Sequence, residues 1–225
     1  MENIVKIAEI IQYLCVSLAS VFAVFGITKW RSEINYKKYT EIAEETRKLF
    51  YQVKDAVRVI RSPFGYQGEG SSRKRDSNEN ADDSKVMDQA YALIERMEKY
   101  SDLFIQLDSL RYKHISLFGI MRNDPFEQLS KIIRELRYSS YRLSELWRRQ
   151  NRLSLYDEST KKSHFDEMEK WEAVFWEIKE DDEINKRIDE VIGIMMSKGY
   201  IDRLDKGKKP YKDFFINDTG KKTKT

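Results

Sequence analysis

The sequence is poor in the residues that interrupt helices and in those that cross-link chains. Among its 225 residues there are nine glycines, three prolines and one cysteine. The single cysteine, Cys15, excludes a disulfide within the chain, so an oxidising compartment is not indicated. Because the prolines and glycines are also clustered, long stretches lack a helix breaker. This composition predicts an all-α protein with few, long helices.

Histidine is almost as scarce, which limits the metal chemistry that can be expected. The two histidines, His114 and His164, lie fifty residues apart, and neither belongs to a Glu-x-x-His pair of the kind that di-iron bundles use. His114 falls on an apolar helix face, where a core histidine is expected rather than a catalytic base. The sequence holds one His–carboxylate cluster: His164, Asp166, Glu167 and Glu169. This cluster lacks the further ligands of a zinc site.

Other reactive patterns are missing as well. Gly65, Gly68 and Gly70 precede a basic run at 73–75, but their spacing is not that of a P-loop and no strand precedes them. A surface loop is expected there, with an anion site as the alternative. The adjacent carboxylates at 181–183 fit a solvated helix junction, and no serine lies in a nucleophile elbow. We therefore predict no catalytic, cofactor-binding or metal-binding residues, no cofactor and no enzymatic activity.

The clearest signal is the longest stretch without charge, residues 10–28. Ten of its 19 residues are Ile, Leu, Val or Phe, and a helix of this length nearly crosses a hydrocarbon core of about 30 Å. Lys29, Trp30 and Arg31 follow it, which suits a headgroup region. Residues 1–31 are therefore predicted to be a transmembrane anchor in the lipid bilayer. The alternatives are a cleaved signal peptide and a buried core helix.

The flanking charges predict the orientation of this anchor. Lys6 precedes the apolar run, whereas Lys29, Arg31, Lys37 and Lys38 follow it within ten residues. By the positive-inside rule, we expect the N-terminus outside and the bulk of the chain in the cytoplasm.

The same helix is expected to continue as a stalk over residues 32–61, since no glycine or proline interrupts it. A heptad seam runs along this stalk at Tyr39, Ile42, Thr46, Leu49, Val53, Ala56 and Ile60, widened by Ala43, Phe50 and Val57. Such a seam must be covered either by the rest of the chain or by a second copy. Because Ala19, Ala23 and Gly26 form a small-residue face in the span, self-association is predicted.

The rest of the chain divides into a loop, a bundle and a tail. Residues 62–85 are expected to be a flexible polar loop, because they hold Pro63, three glycines and many polar residues. Residues 86–199 are expected to complete an antiparallel helical bundle, with helices over about 83–118, from Pro125 behind the N-cap Asp124, over 160–180 and over 183–198. Residues 200–225 are predicted to be a basic, disordered tail.

Charge is unevenly distributed along the bundle. Residues 124–152 carry seven basic and four acidic side chains, and residues 157–190 carry thirteen acidic and six basic ones. These faces can pair with each other or with a protein partner. Nucleic acid is a less favoured partner for the arginines around Tyr138 and Tyr141, because of the acidic stretch that follows. Basic residues near the membrane can also contact anionic lipid.

Two stretches carry a resemblance to a known family. The first runs from Ala43-Glu44-Glu45 through Leu49-Phe50-Tyr51 to Ile60-Arg61-Ser62-Pro63-Phe64, and the second is Glu172-Ala173-Val174-Phe175-Trp176. They are similar to a family of uncharacterised bacterial proteins that have one N-terminal span and a helical cytoplasmic part. The resemblance implies a single-pass protein of the bacterial inner membrane and no assigned activity.

These observations favour a membrane-anchored interaction, scaffold or sensor-type protein. One alternative is a membrane-linked effector or accessory protein of a bacterial stress or defence system. A second alternative is an enzyme of unrecognised type.

Overall fold

The computed structural model describes residues 2–77, 79–150, 153 and 156–216. Within these ranges it has no strand, and helices account for 76% of the chain. The helices are α1 (Glu2–Ile60), α2 (Ala81–Lys99), α3 (Ser101–Phe118), α4 (Pro125–Gln150), α5 (Glu158–Phe175), α6 (Glu183–Met195) and α7 (Ile201–Asp205). The predicted all-α fold is confirmed, with the long N-terminal helix packed against the others as in a bundle.

The first helix has two parts with different surroundings. All ten seam residues between Tyr39 and Ile60 are buried against the other helices of the same chain, so the chain itself covers the stalk. By contrast, the apolar side chains of residues 11–30 are exposed. A window of this helix is long and apolar enough to cross a membrane, and none of it is buried. The alternative of a buried core helix is therefore wrong.

The fourth helix begins where the sequence predicts. Pro125 is its first residue, and Asp124 Oδ1 accepts hydrogen bonds from the backbone N–H groups of Phe126 (3.0 Å) and Glu127 (3.4 Å). Its buried stripe follows a spacing of alternately three and four residues in the sequence: Phe126, Leu129, Ile133, Leu136, Ser140, Leu143 and Trp147. The apolar residues of α6 are likewise buried along one face, from Ile184 to Met195.

Two predicted helices have different bounds. The helix expected over 83–118 is broken at Tyr100, which ends α2 and precedes α3. The helix expected over 160–180 ends at Phe175, because Trp176 is extended (φ −110°, ψ 143°) and Glu177 N–H donates to the Arg61 carbonyl instead (2.9 Å). Phe165 and Ile178, which lie on the apolar spacing of this segment, are exposed. Tertiary contacts at the end of α1 therefore override the apolar periodicity of this segment.

The predicted disordered tail is wrong for residues 200–216. Tyr200, Ile201 and Leu204 are buried in the core, and α7 packs on α1. Beyond α7, the backbone of Ile216 donates to the carbonyl of Ile120 (2.8 Å), so this segment pairs with the α3–α4 connection. Aromatic side chains supply the apolar surface that fixes it, and the lysines remain outside. The prediction for residues 217–225 lies outside the described residues.

The segment between α1 and α2 is also more tightly packed than a surface loop. Arg73 is 9% exposed, and its guanidinium binds the carboxylates of Glu79 and Asp88. At Gly70 (φ +82°), an added Cβ would overlap the carbonyl of Asp88. A side chain at this position would push the loop off α2.

Candidate functional site

The described bundle contains several fully buried polar side chains, and His114 is one of them. Its Nε2 lies 2.8 Å from Thr46 Oγ1 on α1, and its Nδ1 lies 2.6 Å from the Tyr200 hydroxyl. Thr46 already donates its hydroxyl proton to the Ile42 carbonyl (2.6 Å), so Thr46 must accept from Nε2–H. The histidine is then a neutral tautomer whose Nδ1 accepts from Tyr200.

The electrostatics of this network are those of a neutral core. Burial, with a smaller effect from the charge of Lys113, lowers the pKa of His114 to about 3. Burial, with the negative charge of Asp124, raises the pKa of Tyr200. The rings of Phe118 and Phe126 pack against the imidazole at centroid distances of 5.7 and 5.0 Å. Because both ring nitrogens are engaged and the side chain is fully buried, His114 joins α1, α3 and Tyr200 rather than meeting a substrate.

A buried arginine holds the far end of α1. Arg61 is 0% exposed, and it donates to both oxygens of Asp182 at 2.6 and 2.7 Å. Its Nε–H donates to the carbonyl of Val174 at 2.8 Å, and its Nη2 is shared between the carbonyls of Ala173 and Trp176 at 2.9 and 3.0 Å. A cation at these carbonyls also suits the C-terminal end of α5. Arg61 therefore fixes the end of α1 to α5.

Asp182 completes this junction and caps α6, since its Oδ1 also accepts from the Asn185 N–H (2.9 Å). Burial alone would raise its pKa, but hydrogen bonds from Arg61 and from the backbone N–H groups, together with the charge of Arg61, lower it overall. The helix junction predicted at 181–183 is present, but Asp182 is buried (7% exposed), so the prediction of a solvated junction is wrong for this carboxylate. Its partner, Arg61, was not predicted.

A second arginine closes the loop behind the same end of the bundle. Arg96 on α2 donates to the carbonyls of Ile60, Ser62 and Phe64 at 3.0, 2.5 and 3.0 Å. It also binds both oxygens of Glu69 at 2.7 Å. Like Arg61, it donates hydrogen bonds to backbone carbonyls that would otherwise lack a hydrogen-bond donor. Both arginines therefore have structural roles. One feature of the sequence marks Arg61, namely a charged residue directly after Ile60, the last residue of the apolar seam.

The His–carboxylate cluster of the sequence is not assembled into one site. His164 lines a cleft of about 570 Å³ between α4 and α5, and its Nε2 is buried without a hydrogen-bond partner among the described residues. Burial and the nearby charge of Arg149 lower its pKa. Glu167 lines the same cleft but binds Arg142, whereas Asp166 and Glu169 are exposed. Within the described ranges, no group of three or more His, Cys, Asp or Glu residues could hold a metal ion.

The uneven charges of the bundle are partly paired within the chain. Arg142 on the basic α4 binds Glu167 on the acidic α5, which agrees with the predicted complementarity of the two faces. The pairing is not uniform, because Arg187 of the acidic region binds Glu135 of α4 at 2.8 Å. Tyr138 packs its ring edge-to-face on Trp171 at 5.1 Å and so contributes to the α4–α5 contact.

The exposed part of α1 is the most unusual surface in the described chain. Its apolar side chains are exposed on all sides, as in Phe22 (72%), Val24 (62%) and Phe25 (69%). A soluble protein seldom leaves so large an apolar surface in water. The same side chains match the hydrocarbon core of a bilayer in length and composition. We therefore take residues 11–30 as the candidate functional surface.

Together, the fold and this surface define a helical-bundle protein with one candidate membrane span. Comparison with known proteins does not narrow this class further. No protein-family model, no curated protein and no solved structure matches the chain.

Proposed function

We propose that the protein is a single-span membrane protein whose helical bundle is a cytoplasmic interaction, scaffold or sensor-type domain. The observation that carries the proposal is the continuity of α1. One helix of 59 residues contains both the exposed apolar stretch and the central seam of the bundle core. A helix without a break transmits tilt or displacement along its axis, since its backbone hydrogen bonds run through.

The contacts at both ends of the buried part support this role. Thr46 is tied to α3 through His114, and the end of α1 is tied to α5 and α6 through Arg61 and Asp182. A movement of the span would therefore reach every helix that these contacts join. The buried side chains of His114, Arg61, Arg96 and Asp182 bind partners within the chain, which supports a structural role for these four groups.

The charges next to the apolar stretch support the proposed orientation. Lys29, Arg31, Lys37 and Lys38 are all exposed, as expected for residues at a cytoplasmic membrane surface. We propose that the N-terminus lies outside and that the membrane is the bacterial inner membrane. A reporter fused to the C-terminus, active only in the cytoplasm, tests the orientation.

Membrane insertion is tested with arginines in the exposed part of α1. Phe22→Arg with Phe25→Arg should move the protein from the carbonate-resistant membrane fraction to the soluble fraction, because an arginine costs about 2.5–3.5 kcal/mol at the centre of a span and less toward its end. Ile105→Arg with Ile178→Arg is the matched control, since these side chains are exposed on the bundle. Equal membrane retention of both double variants would refute insertion through this helix.

A further inference from the structure

The C-terminal segment of the described chain returns to the base of the exposed helix. Arg47 Nη2 on α1 binds Asp205 Oδ2 at the end of α7 (2.5 Å). Two residues later, at Gly207 (φ +66°), an added Cβ would stand 2.5 Å from Cδ2 and 3.1 Å from Cα of Tyr36. The chain then turns back, with Tyr211 N–H donating to the Gly199 carbonyl (3.1 Å). The turn at Gly207 therefore packs on α1 at the level of Tyr36.

This return places two basic segments together. Residues 29–38 contain four basic and one acidic residue, and residues 203–213 contain five basic and two acidic ones. Their combined net charge is +6, against +3 for the whole chain, so the remaining residues carry a net charge of −3. The positive charge of the protein is thus concentrated at one place on α1.

The cations at this place face solvent. Lys29, Arg31, Lys38, Lys208, Lys209 and Lys212 are exposed and form no ion pair with any residue that the structure describes. Two others are paired only at the surface, Lys37 with Glu33 (3.4 Å) and Lys206 with Asp202 (2.8 Å). We call these eight side chains the basic collar. Unpaired surface cations are available to an external anion without loss of an internal contact.

Aromatic side chains lie among these cations, and two exposed isoleucines lie where the C-terminal segment pairs with the α3–α4 connection. Trp30, Tyr36 and Tyr211 are each at least half exposed, and the guanidinium of Arg203 covers the Tyr211 ring at 4.1 Å. Ile120 and Ile216, joined by a backbone hydrogen bond, are exposed as well. Tryptophan and tyrosine between cations suit the headgroup region of a bilayer.

The height of the collar above a membrane follows from the helix geometry. Tyr36 is eight residues beyond Thr28, the last residue of the uncharged run, which corresponds to about 12 Å along the helix axis. The headgroup region adds about 5–8 Å outside each face of the hydrocarbon core. The turn at Gly207 would then lie within about one Debye length of the lipid surface, roughly 8 Å at physiological salt.

We propose that the basic collar binds the headgroups of anionic lipids and thereby holds the C-terminal segment against the membrane. This inference rests on the proposed insertion of α1, which fixes the collar at the right height. An anionic leaflet then faces the lysines permanently. A nucleic acid would have to enter the same narrow space against the repulsion of that leaflet, so lipid is the favoured occupant.

The test uses full-length protein in vesicles of phosphatidylcholine, with or without a minority of phosphatidylglycerol. Flotation after carbonate washing reports insertion, and an amine-reactive probe read by mass spectrometry reports the accessibility of each lysine. At low salt, the labelling rate of Lys208 and Lys209 in the anionic vesicles should be about one fifth of the rate in phosphatidylcholine alone. High salt should remove this protection. Lys179, exposed beside Val59 at the far end of α1, should be labelled equally in both.

A pair of variants adds a second measurement. Lys208→Gln with Lys209→Gln should reduce the enrichment of a fluorescent anionic lipid around the protein. Lys74→Gln with Lys179→Gln removes the same charge elsewhere and should leave the enrichment unchanged.

Three outcomes would overturn the proposal. Protein that fails to float in either vesicle refutes insertion and the collar together. Protein that floats while Lys208 and Lys209 are labelled equally in both vesicles refutes the collar alone. Binding of an oligonucleotide that requires these lysines, without any lipid effect, assigns the surface to nucleic acid instead.

Discussion

The two parts of α1 contain similar apolar residues in opposite surroundings. Val24 in the first part is 62% exposed, whereas Val53 in the second is 0% exposed. In the second part the apolar residues follow a seam, with charged residues on the outer face, and the other helices cover that seam. In the first part they surround the helix, and no described element covers them. Apolar content alone therefore does not decide what buries a helix; its angular distribution does.

The difference also separates the sources of stability. The second part is buried by the fold, so a polar substitution there acts on folding. The first part is proposed to be buried by lipid, so a polar substitution there acts on insertion and leaves the bundle intact. Matched substitutions in the two parts of α1 separate these two effects.

The largest difference is expected between Val53→Asp and Val24→Asp. At Val53, an unpaired buried charge should lower the free energy of unfolding by several kcal/mol, a large share of the stability of a typical domain. At Val24, the same change should alter the free energy of unfolding of the bundle by less than about 0.5 kcal/mol. Thermal unfolding of the full chain in mild detergent, followed by circular dichroism, compares them. Similar melting shifts would mean that the exposed part contributes to the fold.

The next largest effect is expected at Arg61, which closes the buried part of α1. Arg61→Met should cost about 3–5 kcal/mol, because it leaves Asp182 charged and nearly buried. Arg58→Met is the control, since Arg58 is 57% exposed and lies 3.6 Å from Glu177, where an ion pair contributes little.

A double variant distinguishes the buried charge from the lost hydrogen bonds to carbonyls. Arg61→Met with Asp182→Asn should be less destabilised than the sum of the two single variants. Strict additivity in denaturant unfolding would show that the carbonyl contacts, not the ion pair, carry the effect.

Features of the fold that neighbouring residues determine could be predicted from the sequence, whereas those that depend on residues far apart in the chain could not. The start of α4 follows from the local pair Asp124 and Pro125, and the seam of α1 follows from its period. Arg61 could not be assigned, because its partner Asp182 is 121 residues away. The break at Tyr100 has no glycine or proline to mark it, so only tertiary packing sets it.

The C-terminal segment shows the same limit more clearly. Its lysines resemble a solvated tail, yet Tyr200 binds His114 and Leu204 is fully buried. A few apolar residues are enough to order this segment when they pack into the core that the other helices form. The overall composition of the segment is dominated by its lysines, so a prediction from composition alone gives disorder.

A smaller effect is expected from pH, through the contact between His114 and the buried part of α1. The folded pKa of about 3 lies below the unfolded value of about 6.5, so the unfolded chain takes up the proton first. Stability is therefore complete above about pH 6.5 and falls as the pH is lowered toward 3. Between about pH 7 and pH 5.5 the loss should be about 1 kcal/mol.

His114→Gln should flatten this pH dependence whatever its effect on stability at neutral pH. His164→Gln is the comparison variant: the pKa of His164 is also lowered, so its replacement should flatten the slope in the same direction but by less than His114→Gln. Chemical denaturation at several pH values gives both slopes. An unchanged slope in His114→Gln would show that other groups titrate in this range.

The smallest effect concerns self-association, which the fold restricts to one part of α1. Because the chain itself covers the seam from Tyr39 to Ile60, that seam offers a second copy no apolar surface. The small-residue face at Ala19, Ala23 and Gly26 remains, and nothing in the described chain lies within 4 Å of an added Cβ at Gly26. We therefore predict that full-length protein self-associates through the span, and that Ala23→Leu weakens this by about 1 kcal/mol. Ser17→Leu, on the opposite face of the helix, should have little effect. Energy transfer between labelled copies in vesicles measures both. Equal weakening by the two leucines would exclude the small-residue face, and strictly monomeric protein would exclude self-association through α1 altogether.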